Sequence, residues 1–294
     1  MDVWKHRYVH TFIPSYVHTF EEMVHLKSQR EIDLMRASAD LVGRTLAEVA
    51  RYVEPGVTTA TLDQVAEDFV RTHGAEPAFK GYRVGQLPPF PGTLCVSVNE
   101  VVVHGIPGGY ALQEGDLIAV DCGVKLNGYY GDSAYTFAVG TISDADIQLC
   151  QVTYEALHEG IARAVHGNRI GDISHAVQAY CEGRGYGVVR DLVGHGIGRK
   201  LHEDPQVPNF GRRGTGRKLK QGTTICIEPM INRGTHDVAT GADGWTIRTA
   251  DGAPSAHYEH MVVVRRGQPE ILSTFAYIED VIQAPYSKAV LTDG

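Results

Sequence analysis

The stretch LIAVDCGVKLNGYYGD, residues 117–132, decides how this chain folds. It is apolar from Leu117 to Val120 and then turns acidic at Asp121. Asn127-Gly128 is a strong two-residue hairpin signal, after which Tyr129-Tyr130-Gly131-Asp132 runs back. With Asn127 and Gly128 as the loop, Asp132 falls opposite Gly123. Side chains alternate along a strand, so Gly123 shares a face with Asp121, and the two carboxylates become diagonal neighbours. Two acids held that close at the end of an apolar strand suit a shared cation. Hairpin acids facing solvent are the plainer alternative.

Three more candidate donors lie downstream in comparable settings. Gly194-His195-Gly196-Ile197-Gly198 places an imidazole between glycines, where bare backbone allows a ligand or cation to approach closely. His202 follows seven residues later, not at the four-residue step of a helical zinc motif, so one histidine can ligate while the other touches substrate. Thr224 to Glu228 alternates before Pro229 ends the strand, and Glu259 precedes the apolar run Met261 to Val264. A carboxylate at the mouth of such a strand is costly unless paired or metal-bound, although an edge-strand salt bridge would explain either glutamate taken alone. Together Asp121, Asp132, His195, Glu228 and Glu259 offer four carboxylates and one imidazole. That set balances two divalent cations and suits Mn, Fe, Co or Zn. Left empty, it would repel itself. His104, at a strand end before a Gly/Pro turn, would by itself be read as structural.

The surrounding chain reads as two related halves. Ser28-Gln29-Arg30-Glu31 is a capping box opening a helix through Met35, Ala39, Val42, Leu46 and Val49 until Pro55-Gly56. A second helix through Leu62, Val65, Ala66, Phe69 and Val70 ends near Gly74. The plan recurs with a helix from about Ser143, a break at Gly167, and another helix before Gly185. Helix, break, helix, strands in both halves predicts one α+β domain of pseudo-twofold design whose sheets meet where the acids converge, unless the spacing is coincidental. The boundaries expected are an N-terminal arm at 1–27, carrying a pentapeptide repeated at 8–12 and 16–20, a catalytic domain at 28–280, and a tail at 281–294.

Composition narrows the class. With 294 residues, 43% hydrophobic and 21% charged, the chain can bury a large core. A net charge of −8 argues against sequence-specific or general nucleic-acid binding as its main activity. The exception is a basic stretch among glycines, Arg212, Arg213, Arg217, Lys218 and Lys220, read as a solvated loop or a docking site for an anionic partner. Five cysteines without CxxC spacing fit a reducing compartment. No export signal or membrane span is visible, so a cytoplasmic protein without membrane attachment is expected.

In order, SVNEVVVHGIP (97–107), DCG (121–123), GYYGDSA (128–134), GHGIGRKLHEDPQV (194–207), IEPM (227–230), DGWTIRT (243–249) and YEHMVVV (258–264) resemble the type I methionine aminopeptidases of the pita-bread metallopeptidase fold. The resemblance covers about residues 28 to 275. It implies a dinuclear site, with Asp121 on one ion, Asp132 and Glu259 bridging, and His195 with Glu228 on the other. A shared water would be acidified between the ions and supply the attacking hydroxide, with Glu228 as proton shuttle. By the same resemblance His104 contacts the scissile nitrogen, His202 holds the carbonyl oxygen, and Tyr82, Cys95 and Trp245 line the methionine pocket. Two departures stand out: the Pro/Gly-rich segment from Arg83 to Gly92 is long, leaving Phe90 as the candidate second pocket aromatic, and Leu201 stands where an aromatic is common. The expected substrate is the N-terminal methionine of nascent polypeptides, acted on by a monomer, with the ribosome surface as a candidate partner of the basic loop. The alternatives are an Xaa-Pro aminopeptidase or prolidase, or a binding protein that kept the fold without catalysis.

Overall fold

A computed structural model describes residues 24–282. The repeated pentapeptide and nearly all of the expected C-terminal tail lie outside the described residues. In the first half, α1 (Gln29–Ala50) starts at the expected capping box, with the Ser28 and Glu31 side chains each bonding the other's backbone N–H. α2 (Thr59–Thr72) follows, and then β1 (Glu76–Pro77), β2 (Leu94–Val98), β3 (Val101–Val103), β4 (Leu117–Leu126) and β5 (Tyr129–Ala138). The second half begins with α3 (Asp144–Ile161), capped by Ser143, and α4 (Ile170–Glu182). It continues with β6 (Gly187–Val188), β7 (Val193–Gly196), β8 (Glu203–Pro208), β9 (Thr224–Ile227) and β10 (Met230–Asn232). The last elements are β11 (Val238–Thr240), β12 (Ile247–Thr249), β13 (Ser255–His257), β14 (His260–Val263), β15 (Glu270–Ile271) and α5 (Ala276–Ile282).

All strand pairs within the sheets are antiparallel, and each half owns one main sheet. β4 is flanked by β2 and β5 with β1 along its edge, and β9 lies between β14 and β7 in the order β15-β14-β9-β7-β8. The β4–β5 hairpin has the expected register, Gly123 opposite Asp132 and Asp121 opposite Ala134. Asn127 (φ 53°) and Gly128 (φ 79°) supply the two left-handed residues that such a turn requires. Helix α1 packs on β4 and β5, α3 packs against α4, and a continuous apolar core joins both helix pairs to both sheets. The α+β pita-bread architecture expected from the motifs is therefore the architecture found.

The halves are stitched together along β5. Glu259 N–H donates to Ala134 O (3.0 Å) and Ser133 Oγ donates to Glu259 O (2.6 Å). Thr136 Oγ1 accepts from His257 N–H and donates to His257 O, and the Tyr258 hydroxyl donates to Thr136 O. Lys27 is buried and ion-paired to Glu203 at 2.6 Å, and α5 runs to Ile282. Glu228 and Glu259 stand just outside their strands, after β9 and before β14.

Gly131 marks where α1 meets this sheet, because a Cβ there would lie 2.5 Å from Ser38 C and 2.6 Å from Ala39 N. Both are helix backbone atoms that cannot swing aside. Gly131→Ala should lower the urea midpoint at unchanged m-value, a loss of about 1–3 kcal/mol typical of overpacking. An unchanged midpoint would show that α1 is free to shift off β5.

Candidate metal centre

The five expected donors converge. Asp121 and Asp132 lie close enough across the hairpin for their carboxyls to share a proton. His195 Nε2 lies 3.8 Å from Asp132 Oδ2 and 3.6 Å from Glu228 Oε1. Donor atoms of Asp132, His195, Cys226 and Glu259 all lie within 4.8 Å of one another. All four acids line a cleft of about 1050 Å³, Asp132 and Glu259 being the more deeply buried. His195 Nδ1–H donates to Gly196 O at 2.9 Å, which leaves Nε2 unprotonated and aimed at the acids, the form in which imidazole ligates.

The glycines flanking His195 have a different purpose from the one expected. A Cβ on Gly194 would meet Cys226 O at 2.4 Å, and one on Gly196 would meet Asp204 O at 2.2 Å. They admit neighbouring strands, and so fix the segment that carries the imidazole, while Gly194 also lines the cleft.

Electrostatics supports a cation. Asp121 Oδ1, Asp132 Oδ1 and Glu259 Oε1 are buried without a hydrogen-bond partner. Burial pushes the Asp121 carboxyl up to about 7, against the lowering effect of its bond to Asp132. Asp132 and Glu259 are held well above the carboxylate range by burial and then by neighbouring acids, and Glu228 likewise. Orphaned buried oxygens and mutual repulsion are what a divalent ion relieves, so the residues present fit a metal. Cys226, absent from the expected set, is within ligating reach. Burial and the surrounding acids hold its thiol well above its usual value, and it hydrogen-bonds Glu259.

Around the acids stand the other expected residues. His104 has a left-handed backbone (φ 57°) and bonds the Trp245 backbone; burial lowers its pKa to about 4. A non-glycine residue in that region is uncommon enough to mark a position held for function. His202 packs edge-on to His195 at 4.4 Å, and its pKa is lowered by the cleft walls and by the His195 and His104 rings. Tyr82, expected only as pocket lining, also hydrogen-bonds His202 Nδ1. Beside it Phe79, Phe90, Cys95, Leu201 and Trp245 form one buried apolar cluster, with Phe90 edge-on to Trp245 at 5.4 Å. The long segment 83–92 folds back through Phe90 N–H to Tyr82 O, which returns Phe90 to the pocket. Leu201 completes the same wall. The residues that sequence reasoning missed are Cys226, Phe79 and His257, the last with Nε2 3.8 Å from Glu228 Oε2. Each reads locally as ordinary core or strand.

Fold and site together define a pita-bread metallohydrolase. The family model for metallopeptidase family M24 matches residues 33–266. A methionine aminopeptidase of Clostridium perfringens is 51% identical over 251 residues, covering 85% of this chain and 99% of that protein. The crystal structure of methionine aminopeptidase from Rickettsia prowazekii superposes with a TM-score of 0.83 at 40% identity, covering 86% of this chain and all of that one. An Xaa-Pro dipeptidase from Bacillus anthracis shares the fold, with a TM-score of 0.69 at 21% identity over 85% of this chain and 62% of its own. The chain belongs to metallopeptidase family M24, and within it to the methionine aminopeptidases.

The raised carboxyls fix the sign of a pH effect. A carboxyl whose folded value exceeds its unfolded one, roughly 4, contributes stability that is full below that value and is lost as pH rises through the folded one. His104 and His195, lowered to about 4, and His257, lowered to about 3, act oppositely, but only below the unfolded imidazole value of about 6.5. Above about pH 7 the histidines no longer contribute and the acids set the slope until the buried thiols, also raised, join it near the unfolded thiol value of about 8.5. Chelated protein should therefore lose Tm as pH rises above about 7, more steeply than metal-loaded protein. Parallel curves would mean that the cluster is not relieved by metal.

Proposed function

We propose that this chain removes the N-terminal methionine of nascent polypeptides, as a cytosolic monomer working with two divalent ions. The observation that carries the reading is one cleft shared by the apolar cluster of Phe90, Cys95, Leu201 and Trp245 and the acidic cluster. A thioether side chain suits the first, and the second fits cations beside the bond to be cut. The domain responsible is the stretch from about 28 to 280.

Bound divalent ions would supply Lewis acidity and a water acidified toward neutral pH. Asp121, Asp132, His195, Glu228 and Glu259 would hold them, and Mn, Co, Fe and Zn each suit such a set. Burial, with Asp121 and Asp132 alongside, raises the Glu228 carboxyl well above its usual value, which favours its taking a proton and passing it to the leaving amine. With the Tyr82 hydroxyl as donor to Nδ1, a neutral His202 would carry its own proton on Nε2, where it can hold the substrate carbonyl. His104, edge-on to Trp245 at 6.3 Å, would contact the scissile nitrogen. The acid edge would take the free α-amine, so that one terminal residue is removed. The exposed side chains of Arg212, Arg213, Lys218 and Lys220 form the candidate ribosome contact, beside the Gly216 and Arg217 edge of the cleft. Reversing these charges should abolish cosedimentation with ribosomes without changing peptide turnover.

Cleavage of a Met-Ala-Ser peptide against an Xaa-Pro peptide, with chelator and then with Mn, Co, Fe or Zn restored, tests the activity. Metal-dependent release of methionine is expected; preference for the proline substrate would overturn the reading. His202→Ala should keep full metal stoichiometry while kcat falls roughly 10²–10⁴-fold, the usual contribution of a positioned proton donor. A fall in stoichiometry would instead make His202 a ligand.

A further inference from the structure

His257, at the end of β13, is buried to 1% exposure in the protein interior behind the metal cluster. Its backbone is clamped on both sides by Thr136 Oγ1, at 2.9 Å through N–H and 2.8 Å through the carbonyl. Its Nε2 has no hydrogen-bond partner and lies 3.8 Å from Glu228 Oε2. The other Glu228 oxygen, Oε1, faces His195 Nε2. The Glu228 backbone is pinned in turn, since Asn209 Nδ2 donates to its carbonyl at 2.9 Å.

One carboxylate therefore stands between two imidazoles, with one oxygen toward the cluster and the other toward an unsatisfied buried nitrogen. The separation is just beyond hydrogen-bond length, and a buried N–H without an acceptor is costly enough that a small rotation of either side chain to close the gap is favourable. Outer partners of this kind orient ligating carboxylates and set how tightly a metal is held. We propose that His257 is a positioning residue for Glu228, its Nε2–H donating to Oε2 so that Oε1 is turned toward the metal cluster. The proposal rests on the assignment of Glu228 as ligand and proton carrier.

The test uses His257→Leu, which keeps bulk and removes the donor, and His257→Gln, which keeps an N–H at similar reach. Unfolding of the chelated forms first shows that both variants fold; if His257→Leu does not, His257→Asn replaces it as the shorter donor that should fail to reach. Cobalt(II) added to chelated protein is followed by calorimetry and by its visible absorption. In His257→Leu, cobalt affinity should fall roughly 10–100-fold, the range for lost outer partners, with an altered spectrum. Its kcat should fall by a similar factor while KM for Met-Ala-Ser moves less than about threefold, and His257→Gln should restore most of each. Wild-type affinity and spectrum in His257→Leu would overturn the proposal, as would a Gln variant no better than Leu. The cobalt readouts hold whatever peptide is cleaved, so failure of wild type to release methionine would count against the function alone.

Discussion

Everything at the centre of this protein follows from the hydrogen bonds that tie strand β5 to residues 257–259. Ser133, Ala134 and Thr136 on one side and His257, Tyr258 and Glu259 on the other exchange backbone and hydroxyl bonds across the join between the sheets. That join puts Asp132 and Glu259 into one dry spot, with Asp121 and Glu228 at its rim. Each sheet alone brings only part of the set together, Asp121 with Asp132 on the β4–β5 hairpin. Once joined, four acids share a low-dielectric space, and their pKa values rise because the charged forms are no longer tolerated. Closing the fold and binding cations are consequently linked, since the cation removes a penalty that the closed fold imposes.

The two halves meet that demand in matching ways. Each presents an antiparallel pair with an acid on either strand or at its end: β4 and β5 carry Asp121 and Asp132, while β9 and β14 are preceded or followed by Glu228 and Glu259. The imidazole enters from a third strand, β7, brought close to β9 by glycines that let backbone pass backbone at His195. Rigidity there is bought with side-chain-free contacts, and the ligating nitrogen is left free by the Nδ1 bond to Gly196.

Much of this was legible in the sequence for a specific reason. A two-residue Asn-Gly loop fixes register, so the facing of Asp121 and Asp132 could be computed from residue counts alone. The Ser28 and Ser143 caps and the apolar spacing after them likewise act over a few residues. The join between Ala134 and Glu259 spans more than a hundred positions and leaves no local trace, so the convergence of all five donors came from the motif resemblance. His257 and Cys226 were missed because each sits in an apolar strand pattern where a single polar residue looks like core; only their distances to Glu228 and Glu259 separate them from it. The return of Phe90 to the pocket depends on how the 83–92 loop closes, which its composition leaves open.

Burial also divides the labour among the titratable groups. The same dry surroundings that lift the acids lower His104 and His195 to about 4 and reduce the value of His202. At neutral pH these rings are uncharged, which suits a lone-pair ligand or a fixed N–H donor and suits a proton carrier poorly. A proton must still travel from water to the leaving amine in any peptide hydrolysis. Glu228 lines the cleft together with Asp121, Asp132 and Glu259, and burial followed by the charges of Asp121 and Asp132 holds its carboxyl well above the usual carboxylate range, in keeping with the proposed role of proton carrier. What sets Glu228 apart among the four acids is that each of its oxygens faces a histidine, His195 at 3.6 Å from Oε1 and His257 at 3.8 Å from Oε2.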